Sequence, residues 1–240
     1  EILKQNLTPE QCFEAARECG APVISIAGGE PLMHPQIVEI VKGLVAMKRF
    51  IYLCTNAILL QDHFDQLPVT PYLTLSIHLD GMEEDHDRIV DQKGTFKLAI
   101  EAVQEAKKRG FRVTSATTFF EDTTVEKAEE FLDYLTSLGI DGVTMASAFR
   151  YQDAPDQDHF FGRRRTFEFF DKLLAKNKKG RWDFSHSPLY LEFLRGKRDY
   201  SCTPWGNPSY SVLGWQKPCY LLDEGYAETF KELMETTEWE

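Results

Sequence analysis

The sequence predicts an α/β fold, a parallel sheet of repeating strand–helix units followed by a helical and loop-rich extension. Two observations carry this. Short apolar strand-like runs begin near 23, 50, 72, 111 and 142, each followed by a segment long enough to cross back over a sheet. That rhythm stops near 150, where polar and turn-forming residues take over. The chain divides accordingly into 1–149, the strand–helix core, and 150–240, the extension.

Thr8, Pro9 and Gln11 predict a helix start with a capping box, and Gly20 its stop. Val23, Ile24, Ser25 and Ile26 form the first strand, which runs into Gly28-Gly29-Glu30-Pro31. Two glycines at a strand end leave room for a ligand against bare backbone, and Glu30 offers a carboxylate suited to an ammonium group. Pro31 fixes the exit angle of the chain. Ile37, Ile40, Val41, Leu44 and Val45 have helical period, so 35–48 is an amphipathic helix.

Strands over 50–55 and 72–79 end at Asn56 and at Asp80-Gly81. A helix over 94–109 stops at Gly110, a strand follows over 111–118, and a helix over 124–138 stops at Gly139. A strand over 142–146 closes the repeat. In the extension, 163–176 is a helix, 200–219 a dense loop, and a last helix starts near Gly225 with Tyr226, Phe230 and Leu233 inward. Ligands of parallel α/β folds bind at the C-terminal strand ends. Those ends hold Gly28, Gly29, Glu30, Cys54, Asn56, His78, Asp80, Thr117 and Ser147.

A net charge of -11 argues against a nucleic-acid partner. No apolar run reaches the roughly 18 residues of a membrane span. Five cysteines at wide spacings do not read as a secreted disulfide framework and fit a reducing, cytoplasmic setting.

Gly28-Gly29-Glu30-Pro31 after a strand resembles the S-adenosylmethionine (SAM) motif of the radical SAM superfamily. Thr55-Asn56-Ala57 is similar to a Thr-Asn-Gly turn of many members, and Ser76 through Asp80-Gly81 to their Ser-x-Asp-Gly pattern, with one extra residue. The resemblance implies a partial (β/α)6 barrel in which Gly28, Gly29, Glu30, Pro31, Asn56, Ser76, His78, Asp80, Thr114 and Thr117 meet SAM. It also implies a [4Fe–4S] cluster held by a Cys-x3-Cys-x2-Cys run. The chain has no such run, so the cluster ligands are expected upstream of Glu1, and the chain as it stands is expected to be inactive. Ala146-Ser147-Ala148-Phe149 departs from the turn expected after the last strand.

Strings in the extension are similar to the adenosylhopene transferase (adenosylhopane synthase) family of hopanoid-pathway radical SAM enzymes. These are Ala154 to Phe160, His186-Ser187-Pro188-Leu189, and Tyr200 through Trp205 to Gly214-Trp215 and Pro218-Cys219. The likeness implies addition of a 5′-deoxyadenosyl radical to the alkene of diploptene. It implies a hydrophobic triterpene substrate and an electron donor such as flavodoxin or ferredoxin.

Cys54 is the candidate catalytic residue, because a thiol S–H readily gives a hydrogen atom to a carbon radical; the other reading is a small core side chain. His34 and His86 read as cap or surface residues. His78 and Asp80 share a face only if their strand continues to 80. Asp158 and His159 read as loop-ordering residues or as part of a substrate mouth. Cys202 and Cys219 read as packing beside Trp205 and Trp215. Phe160, Phe161, Phe167, Phe169 and Phe170 beside Arg163, Arg164 and Arg165 read as core, or as a peripheral contact with the inner membrane face. Three rival functions remain: a radical SAM enzyme acting on another lipid or small molecule, a metal-dependent barrel hydrolase using His78, Asp80 and His86, and a barrel that binds SAM or a lipid without chemistry.

Overall fold

A computed structural model describes residues 5–150, 157–201, 206–220 and 224–237. The core is a five-stranded parallel sheet in the order β1 (Val23–Ile26), β2 (Phe50–Thr55), β3 (Leu73–His78), β4 (Arg112–Phe119) and β5 (Val143–Ser147). It curls into a half-barrel with helices on its convex side. Phe184 makes a parallel bridge to Val143 at the place a sixth strand would take.

Helices form over the four core segments that the sequence predicts, with one short helix added after β3. α1 (Pro9–Cys19) carries the full Thr8–Gln11 capping box and ends at Gly20 with φ 68°. α2 (Ile37–Ala46) starts two residues later than expected because Pro31–Met33 forms a separate 3-10 turn. α3 (Glu83–Ile89) and α4 (Thr95–Lys108) connect β3 to β4, and α5 (Val125–Ser137) connects β4 to β5.

Strand register sorts the side chains onto two faces. Ile51, Leu53, Leu73, Leu75, Ile77, Val113, Val143 and Met145 point to the helices and are buried. The concave face carries three rows: Ser25, Tyr52, Thr74 and Arg112; then Cys54, Ser76 and Thr114; then His78, Ala116 and Thr144. The polar rows are the site side of the sheet.

In the extension, α6 (Arg163–Ala175) and α7 (Pro188–Leu194) join the main core, where Phe161, Phe169, Phe170 and Leu173 are buried. The aromatic cluster is therefore packing. Its three arginines pair with Asp199, Glu168 and Glu121. No helix of the described residues is long and apolar enough to cross a membrane.

The stretch read as a loop holds β6 (Tyr210–Ser211) and β7 (Gly214–Gln216), which form an antiparallel sheet with β8 (Tyr226–Ala227). Tyr226 is thus a strand residue. α8 (Phe230–Thr236) begins later, at Thr229, whose hydroxyl accepts from Glu232 N. This sheet and α8 pack on α1 through Trp215 and Ala227 of the sheet and Leu233 of α8. Glu18 of α1 accepts from Trp215 Nε1 at 3.1 Å and from Phe230 N at 2.7 Å.

Gly214 has φ 107°, and an added Cβ would lie 2.6 Å from the Ala227 carbonyl oxygen. Gly214→Ala should cost about 1–3 kcal/mol, since both backbone conformation and a rigid neighbour oppose it. A lower melting temperature with altered tryptophan fluorescence would register this.

Candidate active site

The C-terminal ends of β1, β2 and β3 enclose a crevice of about 410 Å³. Gly28, Gly29, Glu30, Cys54, Asn56, Ser76 and His78 line it, together with His86, Gln92 and Thr95. Gly28 has φ 143°, and the space above it and Gly29 is open, with no atom within 4 Å of an added Cβ. Bare backbone is presented there to a ligand.

Glu30 is more engaged than a free carboxylate. Its Oε1 accepts from Thr55 Oγ1 at 2.7 Å and Leu32 N at 3.1 Å, and its Oε2 accepts from Asn56 N at 2.8 Å. It ties the end of β1 to the end of β2. A carboxylate offers about four acceptor positions, so one is left for a ligand ammonium. Pro31 is buried at the start of the 3-10 turn and is not a crevice residue. Asn56 accepts from Ile58 N, holding a turn in which Ala57 takes φ 67°. Cys54 Sγ lies 3.2 Å from Ser25 Oγ on β1.

His78 and Asp80 do share a face. The ladder continues past β3 through Leu79 N to Ala116 O, and His78 Nε2 reaches Asp80 Oδ2 at 2.7 Å. The hydrogen bond to Asp80 raises the His78 pKa against the opposing effect of burial. Asp80 itself is buried and its Oδ1 accepts from Thr118 N. It positions His78 and is not part of the crevice lining.

Two expected strand residues fall elsewhere. Thr117 sits on the helix side, donating to Leu79 O and hydrogen-bonded to Ser115. Residues three apart on a strand take opposite faces, so Thr114 and Thr117 cannot both meet one ligand. Thr114 is on the concave side, but it is fully covered and lies outside the crevice lining.

His86, read as a cap or surface residue, is buried at the crevice wall, and its Nδ1 accepts from Asp80 N at 3.2 Å. Its place depends on α3 folding back over β3, which no local pattern encodes. Asp87 next to it accepts from Gly94 N and Phe96 N and so fixes the start of α4, including Thr95. His34 does act as a local anchor, bonding Leu7 O and Gln36 N.

The hydrolase reading finds no ligand cluster here. His78 Nε2 bonds Asp80 Oδ2, His86 Nδ1 accepts from Asp80 N, and Asp80 Oδ1 accepts from Thr118 N. Among the described residues no group of three His, Cys, Asp or Glu could hold a metal ion. Ala154, Cys202 and Trp205 lie outside the described residues.

Residues 1–135 match the radical SAM superfamily. The chain belongs to that superfamily, and its fold is the partial barrel of that class. Residues 143–240 match a second family, described as a domain of unknown function (DUF3463). A probable GTP 3′,8-cyclase of Methanococcus maripaludis is 21% identical over 229 residues, 92% of this chain and 76% of its own length. A GTP 3′,8-cyclase of Clostridium perfringens is 25% identical over 134 residues, 54% of this chain and 41% of its own. Among solved structures, SuiB of Streptococcus suis bound to S-adenosylmethionine superposes with a TM-score of 0.65 at 15% identity. It covers 82% of this chain, which spans 48% of SuiB. At that identity the likeness shows the fold.

The cofactors are those of the superfamily, SAM and a [4Fe–4S] cluster. The crevice fits SAM: an open glycine floor, a carboxylate with one acceptor position left, and a buried, unpartnered His86 Nε2 in the wall. The described residues do not fit the cluster. Cys12 and Cys19 are on α1, Cys54 on β2 and Cys219 in the extension, and burial pushes the Cys12 thiol pKa up.

Proposed function

We propose that this chain belongs to an enzyme that adds a 5′-deoxyadenosyl group to the alkene of a hopene such as diploptene. The observation that carries the reading is the place of Cys54, a thiol on the wall of the same crevice as Gly28, Gly29 and Glu30. Bound SAM supplies the 5′-deoxyadenosyl radical in this superfamily. Adding that radical to a terminal alkene makes a C–C bond and leaves a tertiary carbon radical.

Cys54 quenches that radical by giving its S–H hydrogen atom, and becomes a thiyl radical. One electron from a flavodoxin- or ferredoxin-type donor and one proton restore the thiol. Ser25 Oγ, 3.2 Å from Cys54 Sγ, orients the thiol. Gly28, Gly29, Glu30, Asn56, Ser76 and His78 hold SAM. The apolar triterpene meets the concave face. The extension strings that resemble adenosylhopene transferases support this substrate class.

The relatives named GTP 3′,8-cyclase raise a nucleotide triphosphate as an alternative. A triphosphate calls for Arg or Lys, and among the described residues neither lines the crevice read as the SAM site.

Incubating the full-length, cluster-reconstituted protein with SAM, reductant and diploptene should yield the adenosylated product by mass spectrometry. Cys54→Ser should lower its yield on the order of a hundredfold or more, the scale for removing a hydrogen-transferring group, and give an unreduced by-product. Undiminished yield from Cys54→Ser would rule out the quenching role. Absence of any adduct in the native protein would rule out the substrate.

A further inference from the structure

Restoring the Cys54 thiol after each quench takes an electron and a proton, and the proton needs a route to sulfur. Two polar groups flank Cys54 Sγ: Ser25 Oγ at 3.2 Å and the Tyr52 carbonyl oxygen at 3.9 Å. A carbonyl can only accept, so the S–H serves Tyr52 O and the Ser25 hydroxyl gives its own hydrogen to sulfur. The two side chains differ in what they face. Cys54 is half-buried and lines the crevice, whereas Ser25 is exposed and is not among the lining residues. The parallel register pairs Ser25 with Tyr52, one row nearer the strand starts than Cys54 on the same concave face. Sulfur thus has the crevice on one side and, through one hydroxyl, water on the other. His78, which also lines the crevice, turns its Nε2 to Asp80 Oδ2 instead.

We infer that Ser25 hands solvent protons to Cys54. The inference rests on the quenching role of Cys54. Hydrogen-atom transfer to the product radical breaks the S–H bond, makes a C–H bond and leaves a thiyl radical. One electron from the flavodoxin- or ferredoxin-type donor turns the thiyl into a thiolate. Ser25 Oγ–H then gives its proton to sulfur while a water molecule gives one to the Ser25 oxygen. The hydroxyl is unchanged, and each turnover takes up one electron and one proton. The donor bond from Ser25 holds in both states of the sulfur and is stronger to the thiolate, where the proton is needed.

The test compares first-turnover yield with steady-state rate in the full-length, cluster-reconstituted protein, given SAM, diploptene and flavodoxin. Ser25→Ala should cost the first turnover about threefold, the scale of one orienting hydrogen bond. The steady-state rate should fall about tenfold further, less than the usual loss of a proton donor because water fills part of the gap. Ser25→Thr, which keeps a hydroxyl, should recover most of the rate. A second readout needs no turnover: iodoacetamide labelling of Cys54 at fixed pH, followed by peptide mass spectrometry. It should slow about threefold in Ser25→Ala, since labelling follows the thiolate that the hydroxyl stabilises. Equal losses in first and later turnovers would overturn the inference in favour of a hydroxyl that only orients the thiol. An unchanged steady-state rate or unchanged labelling would overturn it too. Undiminished adduct from Cys54→Ser, or no adduct from native protein, would instead remove the reading beneath it, and this inference with it.

Discussion

Glu30→Gln is expected to lower the melting temperature of the ligand-free protein as well as its affinity for SAM. A carboxylate that only waited for a ligand would give the second effect alone. Glu30 accepts from Thr55 Oγ1, Leu32 N and Asn56 N at 2.7, 3.1 and 2.8 Å. Glutamine keeps one acceptor oxygen and turns an NH2 group toward a donor. Hydrogen bonds to a charged group are worth about 1.5–3 kcal/mol each, and partial rearrangement leaves a net loss of about 2 kcal/mol. For a chain of this size that is a fall of about 4–8 °C. Thermal melts with and without S-adenosylhomocysteine measure both effects, and an unchanged ligand-free melt would contradict the structural half.

Asp80→Ala should be destabilising by about 1–3 kcal/mol, the cost of a covered donor left unsatisfied. It leaves the Thr118 amide without its acceptor, whereas His78, 42% exposed, can turn its Nε2 to water. The cost should depend on pH. His78 has a raised pKa in the fold, chiefly through its hydrogen bond to Asp80. The stability from that pair is fully present below the ordinary imidazole pKa and is lost as pH rises through the raised value. The gap between native protein and Asp80→Ala should therefore be widest on the acid side and narrow above it.

His86 and His186 act in the opposite sense. Burial lowers both pKa values, so their contribution is present above the ordinary imidazole pKa and is lost as pH falls through the lowered ones. Denaturant titrations across this range, read as the native-minus-variant difference, cancel the His186 part and leave His78 with the lesser effect of Asp80 on His86. A difference independent of pH would remove the charged pair from the explanation.

The core was legible because each βα unit announces itself locally. The strands carry apolar residues toward the helices, and Thr8, Gly20, Gly110 and Gly139 mark helix ends by chemistry that needs no tertiary contact. The short strands β6, β7 and β8 escaped notice for the converse reason. Two or three residues show no alternation, and Tyr226 next to a helix start reads as part of it.

At the site, Gly28, Gly29, Glu30, Cys54, Asn56 and His78 could be placed at strand ends from the pattern alone, and Ser76 from the family resemblance. The odd spacing of Thr117 from Thr114 puts the two on opposite faces of one strand. Asp80 needed the extra ladder bond beyond β3, and His86 needed the return of α3, which are properties of the folded chain.

Glu18 makes the two ends of the described chain into a clasp. Its carboxylate joins the first helix to Trp215 and Phe230, positions 197 and 212 residues away. Truncating the protein near residue 149 would strip the outer side of α1 of its apolar cover at Ala15 and Cys19 and would also remove Phe161, Phe169 and Phe170 from the main core. The barrel half expressed alone should accordingly be sticky and prone to self-association, although its strands and crossovers would all be intact.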